Sequence, residues 1–212
     1  MNTGVVKAGG IAAFVTVALY ILGAIIGGSV AGIFQIIGFI LFIFTLISIK
    51  VCMNGLNYRR GDAMVWTLIA LIVVLIILTI IAVAVVAGAA MSGTQTGSMM
   101  NPQALLAGFG VWAIIIGLVF LAYVIVFLLL GLRMNEFAGS AGGIWKGTGI
   151  LTIIWTALML AAVVLAIIAG LAKSGGLFIL VGILFAVGGL VFLASWIVLG
   201  IALMSGANKA PA

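Results

Sequence analysis

Histidine is missing from this 212-residue chain, and only two acidic residues, one cysteine and two prolines occur in it. Each shortage removes a class of chemistry. Without histidine there can be no Ser-His-Asp triad, no His-ligated haem and no His-carboxylate metal cluster. The two carboxylates, Asp62 and Glu136, lie between apolar runs and not within them. No Lys or Arg falls in the middle of a run either, which excludes a retinal Schiff base. Ion-coupled transporters and proton pumps carry ionisable groups at membrane depth, and none is placed there. A nucleotide-binding loop is also absent. The sequence therefore predicts no enzyme and no cofactor.

Cys52 is the only cysteine, so no disulfide forms within the chain. Its place at the end of an apolar run leaves two readings, an acylated thiol or a small packed residue, and the second is the simpler. The prolines are Pro102 and Pro211, and neither interrupts an apolar run. Charge is scarcest of all, at 5% of residues, where an ordinary soluble domain has about 25%. So few charges cannot coat a water-facing surface. The solvent must be lipid, and the chain reads as an integral membrane protein.

What is present is apolar: 67% of residues are hydrophobic. Long runs of Ile, Leu, Val and Ala without alternation predict helices and not a barrel. Six runs are long enough to span a bilayer: Ile11–Gly27, Gly32–Ile49, Ala63–Ala90, Ala104–Leu132, Gly149–Leu171 and Leu177–Met204. The expected fold is an all-α, polytopic transmembrane bundle. It forms one domain, 1–212, of three hairpins with units near 8–52, 62–133 and 146–205. Lys7 followed by Ile11–Ile26 has the make-up of a signal sequence, but it is expected to remain as the first span. Gly27, Gly28 and Ser29 supply the first turn. Asp62 is placed to cap the third helix, and Asn101-Pro102 to start the fourth.

The net charge of +6 comes from basic residues at the ends of runs. That is a topology signal and not a nucleic-acid groove, so no nucleic-acid partner is expected. With the N-terminus inside, Lys7, Lys50, Arg59, Arg60, Arg133, Lys146 and Lys209 all fall on the inner face, and Lys173 alone falls outside. The positive-inside rule then puts both termini in the cytoplasm of a cell-membrane protein. Lys50, Arg59, Arg60, Arg133 and Lys146 are the candidate lipid-contacting and topology residues, each worth about 1 kcal/mol near an anionic surface. Tyr58, Trp66 and Trp145 fall at the same level, where aromatic rings favour headgroups.

Polar residues inside the runs are Thr16, Tyr20, Gln35, Thr45, Ser48, Thr67, Thr79, Tyr123, Thr152, Thr156 and Ser195. Gln35, Thr16, Thr67 and Thr156 are candidates for a polar path or for helix contacts. For Gln35 the simpler expectation is a hydrogen bond to a neighbouring helix. For the threonines it is a bond back to the preceding turn. Gly23 with Gly27, Gly28 with Gly32, Ala162 with Ala166 and Gly170, and Gly182 with Ala186 have the four-residue spacing of close helix packing. Thr16, Thr67 and Thr156 recur early in odd-numbered spans, the trace of a parallel three-hairpin repeat. A three-hairpin plan is also that of the mitochondrial carriers, but their proline and acidic residue on each odd helix are missing here. Met91, Met99 and Met100 sit in the segment 91–103. Thioethers suit Cu(I), but methionine is equally plain apolar filler, and no metal is expected.

The stretches "GGIAAFVTVALYILG", "IIGFILFIFTLISIK" and "YRRGDAMVWTLIALIVV" resemble a family of small archaeal multi-helix membrane proteins of unknown function. The likeness covers roughly the first 80 residues, and Thr45 stands where that family's second-helix motif has alanine. It implies an archaeal-type cell membrane and carries over no site residues. Two functions remain. One is a non-catalytic structural or accessory subunit that packs with itself or within a larger membrane complex. The other is a channel or facilitator for a small neutral solute or lipid, lined by Gln35 and the threonines.

Overall fold

Each of the six apolar runs becomes one helix in a computed structural model, which describes residues 2–95, 102–172 and 175–208. The helices are α1 (Thr3–Ile26), α2 (Gly28–Gly55), α3 (Asp62–Gln95), α4 (Pro102–Ala141), α5 (Gly143–Ala172) and α6 (Gly175–Ala207), with a 3-10 turn at Arg59–Gly61. All six are long and apolar enough to cross a membrane. The predicted all-α bundle of six spans is therefore the fold. Because consecutive helices run antiparallel, the start of α1 and the end of α6 share one face, called here the terminal face.

The helices overrun the predicted spans. At 1.5 Å per residue, the 40 residues of α4 extend about 60 Å, twice a hydrocarbon core of about 30 Å. The segment from Arg133 to Lys146, read from the sequence as a loop, is nearly all helix. Arg133 and Glu136 ride on α4, Lys146 rides on α5, and Gly142 alone joins the two. Gly142 has φ +110° and Gly27, the single residue joining α1 to α2, has φ +65°. Only glycine enters such backbone without strain, which is how so abrupt a reversal is made. At the start of α1, Asn2 accepts the Val5 N–H through its side chain at 3.3 Å. Asp62 does not cap α3: its backbone is already helical, φ −58° and ψ −50°, and its carboxylate instead accepts from Asn54 Nδ2 at 3.0 Å. Asn101, Met99, Met100, Lys173 and Lys209 lie outside the described residues.

Around the bundle, α1 packs on α2 and α6, α6 on α5, α5 on α4, and α4 on α3. The seam between α2 and α3 is sparse. The core is uneven along the membrane normal. Its large buried side chains include Leu46, Met53, Leu68, Leu130, Phe137, Trp145 and Leu203, all on the terminal-face halves of their helices. In the opposite halves, Ile25, Ile80, Val83, Ile114, Ile167, Phe178 and Ile179 are exposed.

Lipid tails are as apolar as leucine, so helix association here rests on close packing and hydrogen bonds and not on expelling water. Glycines set the closest approaches. A Cβ on Gly10 of α1 would stand 2.8 Å from the Gly200 carbonyl oxygen of α6, and one on Gly149 of α5 would stand 2.7 Å from the Gly131 oxygen of α4. A Cβ on Gly9 would overlap Ser48 of α2. These are not the glycines that spacing singled out. Gly32 and Gly182 have open space where a Cβ would go, and on α5 Ala162 is fully buried whereas Ala166 is only half-buried.

Candidate functional site

The bundle axis is filled by aromatic rings. Phe42 of α2 packs on Trp196 and Phe192 of α6 at centroid distances of 4.7 and 6.2 Å, and on Phe127 of α4 at 6.2 Å. Trp155 of α5 closes the ring, edge-on to Phe127 at 5.1 Å and tilted against Phe192 at 5.2 Å. Just beneath, Thr152 and Ser195 share a hydrogen bond at 3.0 Å beside a cavity of about 10 Å³. That is the lower limit for one water molecule. Among the described residues, side chains fill the bundle axis at this level.

The threonine and serine hydroxyls mostly serve helix contacts. Thr16, Thr45, Thr67, Thr79, Thr152 and Thr156 each donate to a carbonyl three or four residues back. Some also reach across: Thr45 to Gly9 O at 3.4 Å, Ser48 to Val5 O at 3.2 Å and Thr16 to Gly38 O at 3.5 Å. These bonds sit where α1 and α2 approach closely. Thr16 and Thr156 are buried, whereas Thr67 faces outward. The three recurring threonines therefore share a back-bond but not an environment, and they do not meet in one path.

Gln35 behaves differently. Its side chain is exposed and has no hydrogen-bond partner among the described residues. It lines a lateral cleft of about 720 Å³ at the sparse α2–α3 seam, backed by Phe120 and Tyr123 of α4. The rest of the lining includes Phe39, Ile40, Ile72, Ile76 and Thr79. Tyr123 and Thr79 could be named as polar span residues from sequence. Their convergence with Gln35 could not, because it depends on which helices are neighbours.

The charged residues gather on the terminal face. The Tyr58 hydroxyl donates to Glu136 Oε2 at 2.7 Å, and Arg133 Nη1 donates to both carboxylate oxygens at 2.7 and 2.8 Å. Partial burial, then the bond to Glu136, pushes the Tyr58 phenol above its ordinary range. Lys50 Nζ stands 4.8 Å over the ring of Trp66, a cation–π contact that straps α2 to α3. Arg59, Arg60 and Lys146 are exposed. Trp66 is an exposed ring, as expected of an interface, but Trp145 is not. It is fully buried, edge-on to Phe137 at 4.9 Å. Cys52 is likewise fully buried, facing Gly206, and is a packed residue with no access for an acyl chain.

No family model matches this chain, and neither a curated protein nor a solved structure does.

Proposed function

We propose that this chain is a non-catalytic accessory or structural subunit of a membrane assembly, with both termini in the cytoplasm. One observation carries this reading. The axis is closed by Phe42, Phe127, Trp155, Phe192 and Trp196, while the polar groups around it are spent on helix contacts. Both carboxylates are engaged at the terminal face, by Asn54 for Asp62 and by Arg133 and Tyr58 for Glu136. That leaves no acid–base pair facing the interior. Broad apolar surfaces on α3 and α6 offer area to lipid, a second copy or a larger partner. The facilitator reading has one observation in its favour, the meeting of Gln35, Thr79 and Tyr123, but their cleft opens sideways between helices.

Liposome swelling tests the choice. Purified protein should give no swelling with small neutral solutes. Solute-specific swelling that Gln35→Leu abolishes would replace the accessory reading with the facilitator, since an apolar side chain in a conducting path dewets it. Orientation is tested in a Cys52→Ala background with an impermeant thiol reagent applied to intact cells. It should label Gly176→Cys on α6 and spare Ser140→Cys on α4, both exposed positions at opposite faces. The reverse pattern would invert the topology.

A further inference from the structure

The cleft has a polarity gradient along its length. Counted from the terminal-face ends of their helices (Gly55, Asp62 and Ala141), Gln35, Thr79 and Tyr123 lie 20, 17 and 18 residues away. Three helices thus bring their polar side chains to nearly one level, about 25–30 Å up. Below that level the lining is apolar: Phe39 and Ile40 of α2, Ile72 and Ile76 of α3. From Thr79 down to Ile72 is seven residues, or about 10 Å. The chains of one leaflet occupy about 15 Å, half a hydrocarbon core of about 30 Å.

Gln35 is the group that calls for an occupant. It stands seven residues into α2 from Gly28, about 10 Å from the α1–α2 turn. An amide at that depth without a hydrogen bond is costly. Thr79 cannot donate to it, because its hydroxyl is bonded to Leu75 O at 2.7 Å. The Tyr123 hydroxyl has no hydrogen-bond partner among the described residues either. A volume of about 720 Å³, largely apolar with a few convergent polar groups, is that of a small-ligand site. Its mouth opens to the bilayer, so the ligand at highest local concentration is lipid.

We propose that this cleft holds one glycerolipid from the leaflet adjoining the α1–α2 turn. An oxygen of its glycerol linkage, ester or ether, accepts from the Gln35 amide and the Tyr123 hydroxyl. The acyl chain runs toward the terminal face along Phe39, Ile40, Ile72 and Ile76. The polar level then meets the glycerol linkage and the apolar floor meets the chain. A glycerolipid of the opposite leaflet would enter with its linkage at the wrong end. The assignment does not depend on the accessory-subunit reading and goes beyond it.

Native mass spectrometry of the full chain tests this. The protein is released from vesicles of diether or of ester-linked phosphatidylcholine with the same head and chain lengths. Wild type should retain one lipid per chain from each. Gln35→Leu should weaken that retention by about 3-fold to 20-fold, the range given by an intramembrane hydrogen bond. Ile76→Trp, which fills the cleft, should abolish retention of both lipids. Ile179→Trp, at an exposed site on α6, should change nothing. Three results would each overturn the proposal: wild type without lipid, retention undiminished by Ile76→Trp, or retention undiminished by Gln35→Leu. Swelling assays report conduction and not retention, so failure here is separable from failure of the proposed function.

Discussion

At the scale of the residue, the decisive side chains are mostly those that are absent. Gly10 and Gly200 let α1 and α6 touch backbone to backbone, and neither can take a methyl group without moving a carbonyl. Gly10→Ala should therefore destabilise the bundle by about 1–3 kcal/mol, the usual cost of overpacking. Gly182→Ala, with open space around it, should be neutral or gain up to about 1 kcal/mol from helix propensity. Thermal melts in one detergent compare the two directly, and equal losses would refute the packing assignment. Both glycines look alike in the sequence. Four-residue spacing picked Gly182 and missed Gly10, because in a chain this apolar the pattern does not mark which face meets a neighbour. Gln35 shows the same limit. Its chemistry was legible as the one amide within a span, but its expected helix partner was not found, since α2 turns that face toward the sparse seam. The threonine back-bonds, by contrast, depend only on local helix geometry, and they formed as local reasoning expects.

At the scale of the element, six helices were legible because a bilayer demands them: each backbone group must be satisfied within its own segment. Their ends were not. Hydropathy marks where side chains stop suiting hydrocarbon, while a helix continues until its backbone is broken. Arg133 and Glu136 sit on the last turns of α4, where their ion pair at 2.7 Å adds i,i+3 support to a helix already in progress. Only Gly142, with φ +110°, stops it. Gly142→Ala should cost about 1–3 kcal/mol through backbone strain alone. Cysteines at Ser140 and Lys146 would report the result. Their cross-linking yield should fall if the one-residue reversal loosens, and an unchanged yield and melting point would show that the joint tolerates a side chain.

At the scale of the whole molecule, packing is strong toward the terminal face and weak away from it. Hydrogen exchange should show this as a gradient. Backbone amides of 127–137 in α4 and 196–203 in α6, which lie in the core, should exchange far more slowly than those of 76–85 in α3, where most side chains are exposed. Uniform protection along α3 would mean that something covers its outer half. No sequence pattern announced the gradient, because both halves of every helix carry long apolar stretches. What distinguishes them is which residues find neighbours: the tight glycines and the buried hydroxyls of Thr45, Ser48, Thr152 and Ser195 hold the packed end together.

That gradient also divides the surrounding bilayer. Near the terminal face, side chains such as Leu46, Met53, Phe137 and Leu203 are turned inward, and less helix surface is left to coat. Toward the other face, described side chains such as Ile25, Ile33, Val83, Ile114, Ile167 and Ile179 turn to the tails, and a cleft adds more wall. The two leaflets therefore owe this protein different numbers of annular molecules. Every copy inserted takes more tail area from one monolayer than from the other. A membrane crowded with it would carry an area mismatch between its leaflets, which flip of lipid, curvature or a second protein seated on the exposed half must relieve.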